Sequence, residues 1–234
     1  MQDVPSQQDF DSRRVTNASS SEVVRQRLYD SQLYPFAGVA QLTFFSAPAG
    51  QGVTTAQGAV VGAQKTVWDT NLELPNTLPS GKAFMAESIE VLFLPGGVAT
   101  ALTYTPAALS LFAAVAAPTL AGQLNDVNQF YQSGILELNV LSKNYLREHV
   151  LAFPPKAHLD VSAAVANNSA TTGEAAIAFA KASGRPYYLS PEITLQPAVN
   201  FEVLLRYPAA VALPSGFNGR VSVYLDGYVM RASQ

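Results

Sequence analysis

The stretch GRVSVYLDGYVMR, residues 219–231, decides the fold. Apolar side chains alternate with polar ones from Val221 to Asp226, Gly227 interrupts the alternation, and Tyr228 resumes it. A period of two residues is typical of a β-strand that has one face in a core and the other facing water or a partner. The stretch therefore predicts a long strand near the end of the chain.

Further apolar runs recur between Pro and Gly residues, and these predict the other strands. They lie at residues 39–46, 83–97, 134–145, 147–155, 191–197 and 200–208. Both faces of 83–97 are mostly apolar, which predicts a strand that is covered on both sides. Strands do not alternate regularly with helices, so a parallel α/β fold is disfavoured. The prediction is an all-β protein, an antiparallel β-sandwich or jelly roll of about eight strands over residues 36–234.

Two helical insertions are predicted within this domain. The first, near 106–133, is rich in Ala and begins at Pro106, which suits a helix start. The second, near 173–183, is set off by Gly173 and Gly184 and has Glu174 in its first turn. An acid near the start and a Gly after the end are typical of a helix.

Residues 1–35 are predicted to form an extended N-terminal arm. Its first part is polar and aperiodic, as in segments that do not order alone. Serines and Glu22 then precede Val24 and Leu28, whose i, i+4 spacing predicts a short amphipathic helix. The arm is close to neutral, so we expect it to dock on a neighbouring subunit instead of gripping nucleic acid. A terminus without a role is the alternative.

Charge is scarce and unevenly distributed. Charged residues make up 13% of the 234, against about 25% in a typical soluble domain. Residues 37–64 contain none, and 95–134 contain only Asp126. A monomer normally needs a charged surface, so both blocks and the arm are predicted to contact other subunits; a neutral polar surface is the alternative. The candidate interface residues are Val24, Leu28, Tyr29, Tyr34, Phe112, Phe130 and Tyr131.

No catalytic, cofactor-binding or metal-binding residue is predicted. The chain has no cysteine, which excludes disulfides, thiolate zinc sites and Cys nucleophiles. There is no nucleophile elbow and no phosphate-binding glycine loop. His149 and His158 are the two histidines, and Asp160 shares a strand face with His158, but we expect a structural role for them. The net charge of −3 gives no reason to expect nucleic-acid binding.

Two aromatic pairs suggest contact surfaces. Tyr187–Tyr188 and Phe130–Tyr131 could form a sugar-stacking surface or a contact between subunits. Neighbours on a strand point to opposite faces, so one member of each pair is expected in the core.

The start of the chain lacks the basic and apolar regions of a signal peptide, which predicts synthesis in a cytoplasm. Residues 101–122 are apolar, but Pro106 and Pro118 divide them. The undivided part is shorter than the roughly 20 residues of a spanning helix.

Three stretches resemble a known family: DTNLELPNTLPSGKAFMAESIEVLFLPGG (69–97), GILELNVLSKNYLREHVLAFPP (134–155) and ITLQPAVNFEVLLRYPAAVALPSGFNGRVSVYLDGYVMR (193–231). In pattern they are similar to the jelly-roll major capsid proteins of small tailless icosahedral bacteriophages, the corticovirus- and finnlakevirus-like groups. The shared features are a Leu-Pro turn into a long strand, Lys-x-Tyr before an FPP exit, and a final L-D-G-Y-x-x-R strand.

The resemblance implies a non-enzymatic coat subunit of a virion that self-assembles as trimers or pseudo-hexameric capsomers. The near-neutral arm suits a shell that lies over a membrane or over a second protein layer such as minor capsid proteins, and the number of jelly rolls stays open. One alternative is a carbohydrate- or receptor-binding β-sandwich of a spike or lectin type. Another is an enzyme centred on His149 or His158.

Overall fold

The structure is a computed structural model that describes residues 21–51, 64–95, 120–168 and 171–232. Its strands and its α-helix, in chain order, are β1 (Ser21–Tyr34), β2 (Gln41–Phe44), β3 (Lys82–Leu94), α1 (Leu120–Ser133), β4 (Ile135–Val140), β5 (Lys143–His149), β6 (Ala157–Asn168), β7 (Thr171–Ala182), β8 (Tyr187–Leu195), β9 (Phe201–Arg206) and β10 (Gly219–Ala232). A single 3-10 turn, Val150–Ala152, follows β5.

Eight of the described strands form two antiparallel sheets of four. Sheet A has the order β1-β10-β3-β8 and sheet B the order β2-β9-β4-β5. The long strand predicted from residues 219–231 is β10, which lies inside sheet A and pairs with β1 and β3. Its register shifts between Asp226 and Gly227, where the sequence alternation breaks. The all-β, antiparallel class is therefore as predicted.

The core lies between the two sheets and is built from alternate residues of each strand. Val221, Val223 and Leu225 of β10 are buried there, as are Leu136 and Leu138 of β4. Strand β3 is buried on both faces, from Ala83 to Val91, as its sequence predicted. The outer face of sheet A therefore carries buried side chains too, and Ala83, Met85, Tyr228 and Met230 form a second apolar cluster there.

Helix α1 packs over one end of the sandwich through an aromatic cluster. The Phe130 ring stacks on Phe93 with centroids 4.3 Å apart and an interplanar angle of 7°. Tyr34 meets both rings edge-on, and Tyr207 meets Tyr34 at 5.7 Å. Offset and edge-to-face arrangements of this kind contribute beyond the area that they bury. The helix is thereby fixed to the ends of β1, β3 and β9.

The amphipathic helix expected within the arm, residues 1–35, is wrong, because Ser21–Tyr34 is a strand of sheet A. Val24 and Leu28 share a face at i, i+4 in a helix, but they share one in a strand as well. Pairing with β10 over all fourteen positions, from Ser21↔Ala232 to Tyr34↔Gly219, decides the matter. This partner is distant in sequence, and such tertiary pairing overrides a local helix signal. Residues 1–20 lie outside the described part.

The helix expected at 173–183 is also wrong. Thr171–Ala182 is strand β7, which pairs with β6 from Ala157↔Ala182 to Asn168↔Thr171. The Ala content and the flanking glycines are local features, and they carry no information about the partner strand immediately upstream. The hairpin β6–β7 stands as its own two-stranded sheet between β5 and β8. The insertion expected at 106–133 contains α1, and residues 101–119 lie outside the described part.

Candidate functional site

Three of the predicted interface residues belong to the core of the chain itself. Leu28, Tyr34 and Phe130 are buried between the sheets or under α1. The Tyr34 hydroxyl also donates to the Val211 carbonyl at 2.6 Å. Their apolar character therefore stabilises the subunit, and their side chains are not available to a neighbour in this conformation.

The other candidates lie nearer the surface. Val24 is exposed on β1. Tyr29 is half-buried and its hydroxyl donates to the Val67 carbonyl. Tyr131 is half-buried against the core, donating to the Val91 carbonyl at 3.0 Å. Phe112 lies outside the described residues.

In the aromatic pair on strand β8, one side chain is packed inward and the other is exposed, as expected. Tyr187 packs on Phe153 with ring centroids 4.9 Å apart, whereas Tyr188 is 56% exposed. In the helical pair, Phe130 is buried and Tyr131 is partly covered.

The structure describes the side chain of one of the two histidines, His149. His149 is exposed, and its Nδ1 accepts from the Leu151 N–H at 3.4 Å, capping the 3-10 turn. His158 lies on β6 opposite Lys181, and its side chain lies outside the described part.

A buried ion pair fixes the loop that connects β2 to β3. The Lys65 ammonium lies 2.5 and 2.7 Å from the two Asp30 carboxylate oxygens, and neither side chain is exposed. The Phe45 N–H donates to the same carboxylate at 2.7 Å. Lys65 also exchanges backbone hydrogen bonds with Gly50 and Gln51. A buried charge needs such a partner, so the pair ties the base of this loop to β1.

The residues after Lys65 form a tight turn, 66–69, which we call the Trp68 turn. Asp69 is buried, and its Oδ2 accepts from the Thr66 N–H and hydroxyl at 2.9 Å each. Arg220 reaches it from β10, with Nη1 at 3.0 Å from Asp69 Oδ1 and Nη2 at 2.9 Å from the Trp68 carbonyl. The two side chains at its tip, Val67 and Trp68, are 66% and 75% exposed.

The same segment covers the free edge of sheet A at β1. The Ser31 N–H donates to the Asp69 carbonyl at 2.7 Å, and Thr70 forms an antiparallel bridge with Asp30. The Asn71 side chain continues the ladder, accepting from Tyr29 N–H and donating to the Arg27 carbonyl. Covering an edge in this way prevents uncontrolled strand pairing. The Trp68 turn therefore stands at the β1 edge of the sandwich.

A groove opens at the opposite edge, between β5 and β8. It has a volume of about 340 Å³ and is lined by Tyr145, Leu146 and residues 187–193. Tyr145 is 52% exposed here. Strand β8 makes no Cα pair with β3 from Leu189 to Glu192, where the register shifts. This interruption takes residues 189–192 out of the ladder with β3, and the segment forms one wall of the cavity. We call the cavity the β5–β8 groove.

Charged side chains gather on the outer face of sheet A: Arg25, Arg27, Glu87, Glu90, Lys156 and Asp226. Glu90 contacts Arg27 at 3.1 Å and accepts from the Lys156 N–H at 2.8 Å. Asp226 contacts Arg25 at 3.2 Å. Burial raises the pKa of Glu87, and the charge of Arg25 opposes that shift. Because each acid has a cationic partner, the cluster holds the segment that leads into β6 against the sheet.

Within the described ranges, no group of three or more His, Asp or Glu side chains is arranged to hold a metal ion. Among the helices of that same part of the chain, none is both long enough and apolar enough to cross a membrane. No known protein family, curated protein or solved structure matches the chain.

The Trp68 turn and the β5–β8 groove were not predicted from sequence. Each is assembled from segments far apart in the chain, such as Arg220 with Asp69 and Tyr145 with Tyr188. The usable signal was the single tryptophan beside a Thr-x-x-Asp turn motif, because Asp and Thr favour side-chain-closed turns.

Proposed function

We propose that the chain is a single jelly-roll subunit of a viral shell, a non-enzymatic coat protein that assembles with copies of itself. The observation that carries the proposal is the order of the strands in the two sheets. The jelly roll is one of the eight-stranded folds that pack two sheets face to face.

The strand pairing supports the jelly roll. Among the eight sheet strands, the first pairs with the last (β1 with β10) and the second with the seventh (β2 with β9). The third pairs with the sixth (β3 with β8), and the fourth with the fifth (β4 with β5). Each pair is nested inside the previous one, as in one long antiparallel ribbon that is wound on itself. A jelly roll with its two Greek keys is expected to pair its strands in this nested way, so the pairing supports the proposal.

The surface supports a subunit that associates. Charged residues are 13% of the chain, and several of them are already used inside the subunit, as in the Asp30–Lys65 pair. Exposed aromatic side chains stand at both lateral edges, Trp68 at one and Tyr145 with Tyr188 at the other. Interface centres are enriched in aromatic residues and depleted in charge. Contacts repeated around a closed assembly are individually weak and collectively strong.

The proposal includes the setting that the resemblance implies. The subunit forms trimers or pseudo-hexameric capsomers, and the shell lies over a membrane or beside minor capsid proteins. It is synthesised in a host cytoplasm and acts in the virion, without sequence-specific contact to nucleic acid.

Light scattering during size-exclusion chromatography tests assembly. The full chain should elute as a trimer or a larger species whose mass rises with concentration, well above the 24.9 kDa monomer. A monomer at every concentration, over a range of ionic strengths, would contradict the proposal. Deletion of residues 1–20 leaves β1 in place and isolates the contribution of the arm; deletion of residues 1–35 removes β1 and should unfold sheet A.

A second candidate function is carbohydrate binding, which the β5–β8 groove favours. Tyr145 and Tyr188 expose aromatic faces beside the acceptor oxygens of Ser190 and Glu192. Aromatic faces stack on apolar faces of sugars, and a few polar groups give orientation. Screening the protein on a glycan array tests this candidate. Binding that Tyr188→Ala abolishes, in a protein that stays monomeric, would favour it over the shell.

A further inference from the structure

The two lateral edges of the sandwich carry features of opposite shape. The Trp68 turn projects from the β1 edge of sheet A, and the β5–β8 groove opens at the β8 edge. We propose that the Trp68 turn of one subunit inserts into the β5–β8 groove of a second copy, which forms a head-to-tail lateral contact. The inference rests on the proposed function, because it names the partner and the residues of subunit association.

The projecting side is held in place before it binds. The backbone of the Trp68 turn is fixed by Asp69, which accepts from Thr66, and by Arg220, which donates to the Trp68 carbonyl. The Trp68 N–H donates to the Thr66 hydroxyl at 3.2 Å, and Tyr29 donates to the Val67 carbonyl. A rigid backbone under an exposed side chain lowers the entropy that binding must cost. Exposure of Trp68 is therefore a fixed property of the turn.

The receiving side fits an indole in size and chemistry. Its volume of about 340 Å³ is at the small end of the roughly 300–1,000 Å³ typical of ligand clefts, which suits one aromatic side chain. Tyr145, Tyr188 and Pro191 supply apolar surface, while Ser190 and Glu192 bring oxygen acceptors. A buried tryptophan normally needs an acceptor for its indole N–H. The groove offers both requirements of a Trp anchor.

The turn cannot fill the groove of its own subunit. Strands β1 and β8 are the two outer strands of sheet A, with β10 and β3 between them. Three inter-strand spacings of about 4.8 Å separate the outer strands, and the turn lies beyond β1. A projection on one edge and a groove on the other make a heterologous contact, which closes into rings when the rotation permits.

The first test uses Trp68 as a reporter, since it is the only tryptophan in the chain. On concentration into the assembly range, its fluorescence should shift to shorter wavelength as the indole leaves water. Trp68→Ala and Tyr188→Ala should each weaken self-association by roughly 30-fold or more, the magnitude of an interface hot spot, with thermal stability unchanged. Leu124→Ala is the matched control, because Leu124 is an exposed apolar residue on α1 and should leave association unchanged.

The second test locates the contact. The chain has no cysteine, so a Val67→Cys/Ser190→Cys double variant, with one thiol in the turn and one in the groove, carries only the two thiols introduced and keeps Trp68 and Tyr188. Mild oxidation should give covalent multimers, whereas Val67→Cys/Leu124→Cys should stay largely uncrosslinked. Equal crosslinking in both variants, or none in the first while the protein is assembled, would overturn the proposed contact.

The outcomes separate the two proposals. If Trp68→Ala assembles as well as the unaltered chain, this contact is wrong and the shell proposal stands. If the unaltered chain stays monomeric at all concentrations and no crosslink forms, both are wrong. If small crosslinked rings form but never larger particles, the contact stands and the shell proposal fails.

Discussion

Removing the positive charge of Lys65 should leave a buried carboxylate without its cationic partner. Lys65 and Asp30 are fully buried, and the Lys65 ammonium is the cation in contact with the Asp30 carboxylate. In Lys65→Met, burial raises the pKa of Asp30 with no cation to oppose the shift. Breaking a buried pair in this way typically costs about 3–5 kcal/mol.

An independent bound comes from protonation of Asp30. Keeping a carboxyl with an ordinary pKa of about 3.9 neutral at pH 7 lowers the free energy of unfolding by about 1.36 kcal/mol for each of roughly three pH units, or by about 4 kcal/mol. The unfolded state ionises near pH 3.9, while the folded variant keeps its proton to higher pH. Stability is therefore lost as pH rises through this window, and the same route costs only about 1.5 kcal/mol at pH 5.

Urea unfolding at pH 5 and pH 7 measures both numbers. With a slope of about 3 kcal/mol/M, the midpoint of Lys65→Met should fall by roughly 1.3 M at pH 7 and by less than half of that at pH 5. Asp30→Asn in the same chain removes the stranded charge and keeps an acceptor for the Phe45 N–H, so it should restore most of the loss. Arg231→Met breaks the exposed Glu22–Arg231 pair and should leave the midpoint unchanged. A small loss with no pH dependence would refute the buried pair.

Three further predictions test the core. Burial raises the pKa of Tyr34 and of Tyr131 to about 12. The stability that these two neutral side chains contribute is complete below pH 10 and is lost as pH rises from 10 through 12. Absorbance at 295 nm should therefore show delayed tyrosinate formation that shrinks in Tyr34→Phe, and ordinary titration of all tyrosines would contradict this. Gly227→Ala places a Cβ 1.9 Å from the Met85 carbonyl oxygen, and circular dichroism should show a chain that is largely unfolded or that melts far lower; a native melting temperature would mean that β10 and β3 are not this close. Phe130→Ala should cost about 3–5 kcal/mol in urea unfolding, with exposed Leu124→Ala as the control on the same helix, and equal effects of the two would argue against a docked α1.

The sequence predicted elements whose signal is local and periodic. Strand β10 showed its alternation and its break at Gly227, and β3 showed two apolar faces that the structure buries. A strand inside a sheet must satisfy both faces at every position, so its pattern is strongly constrained.

The two errors share a physical cause. In β1 the helix signal came from Val24 and Leu28, and a spacing of four residues fits a helix and a strand equally. In β7 an Ala-rich run with good helix propensity is paired along its whole length with β6. Both segments take their conformation from a partner strand, and local propensity carries no information on that partner.

The edge features lay beyond sequence reasoning for a related reason. Asp69 and Arg220 are far apart in the sequence, yet together they hold the Trp68 turn. The groove brings together Tyr145 of β5 and Tyr188 of β8, which the hairpin β6–β7 separates in the sequence. Such sites follow from sheet order, which has to be known before the residues can be grouped.

The most direct test of the shell proposal is electron microscopy of particles that form from the purified full-length chain. We expect closed particles of uniform diameter, built from repeating capsomers, with Trp68→Ala reducing their number. A field of monomers or small unclosed oligomers under all conditions of concentration and salt would contradict the proposal that this chain is a shell subunit.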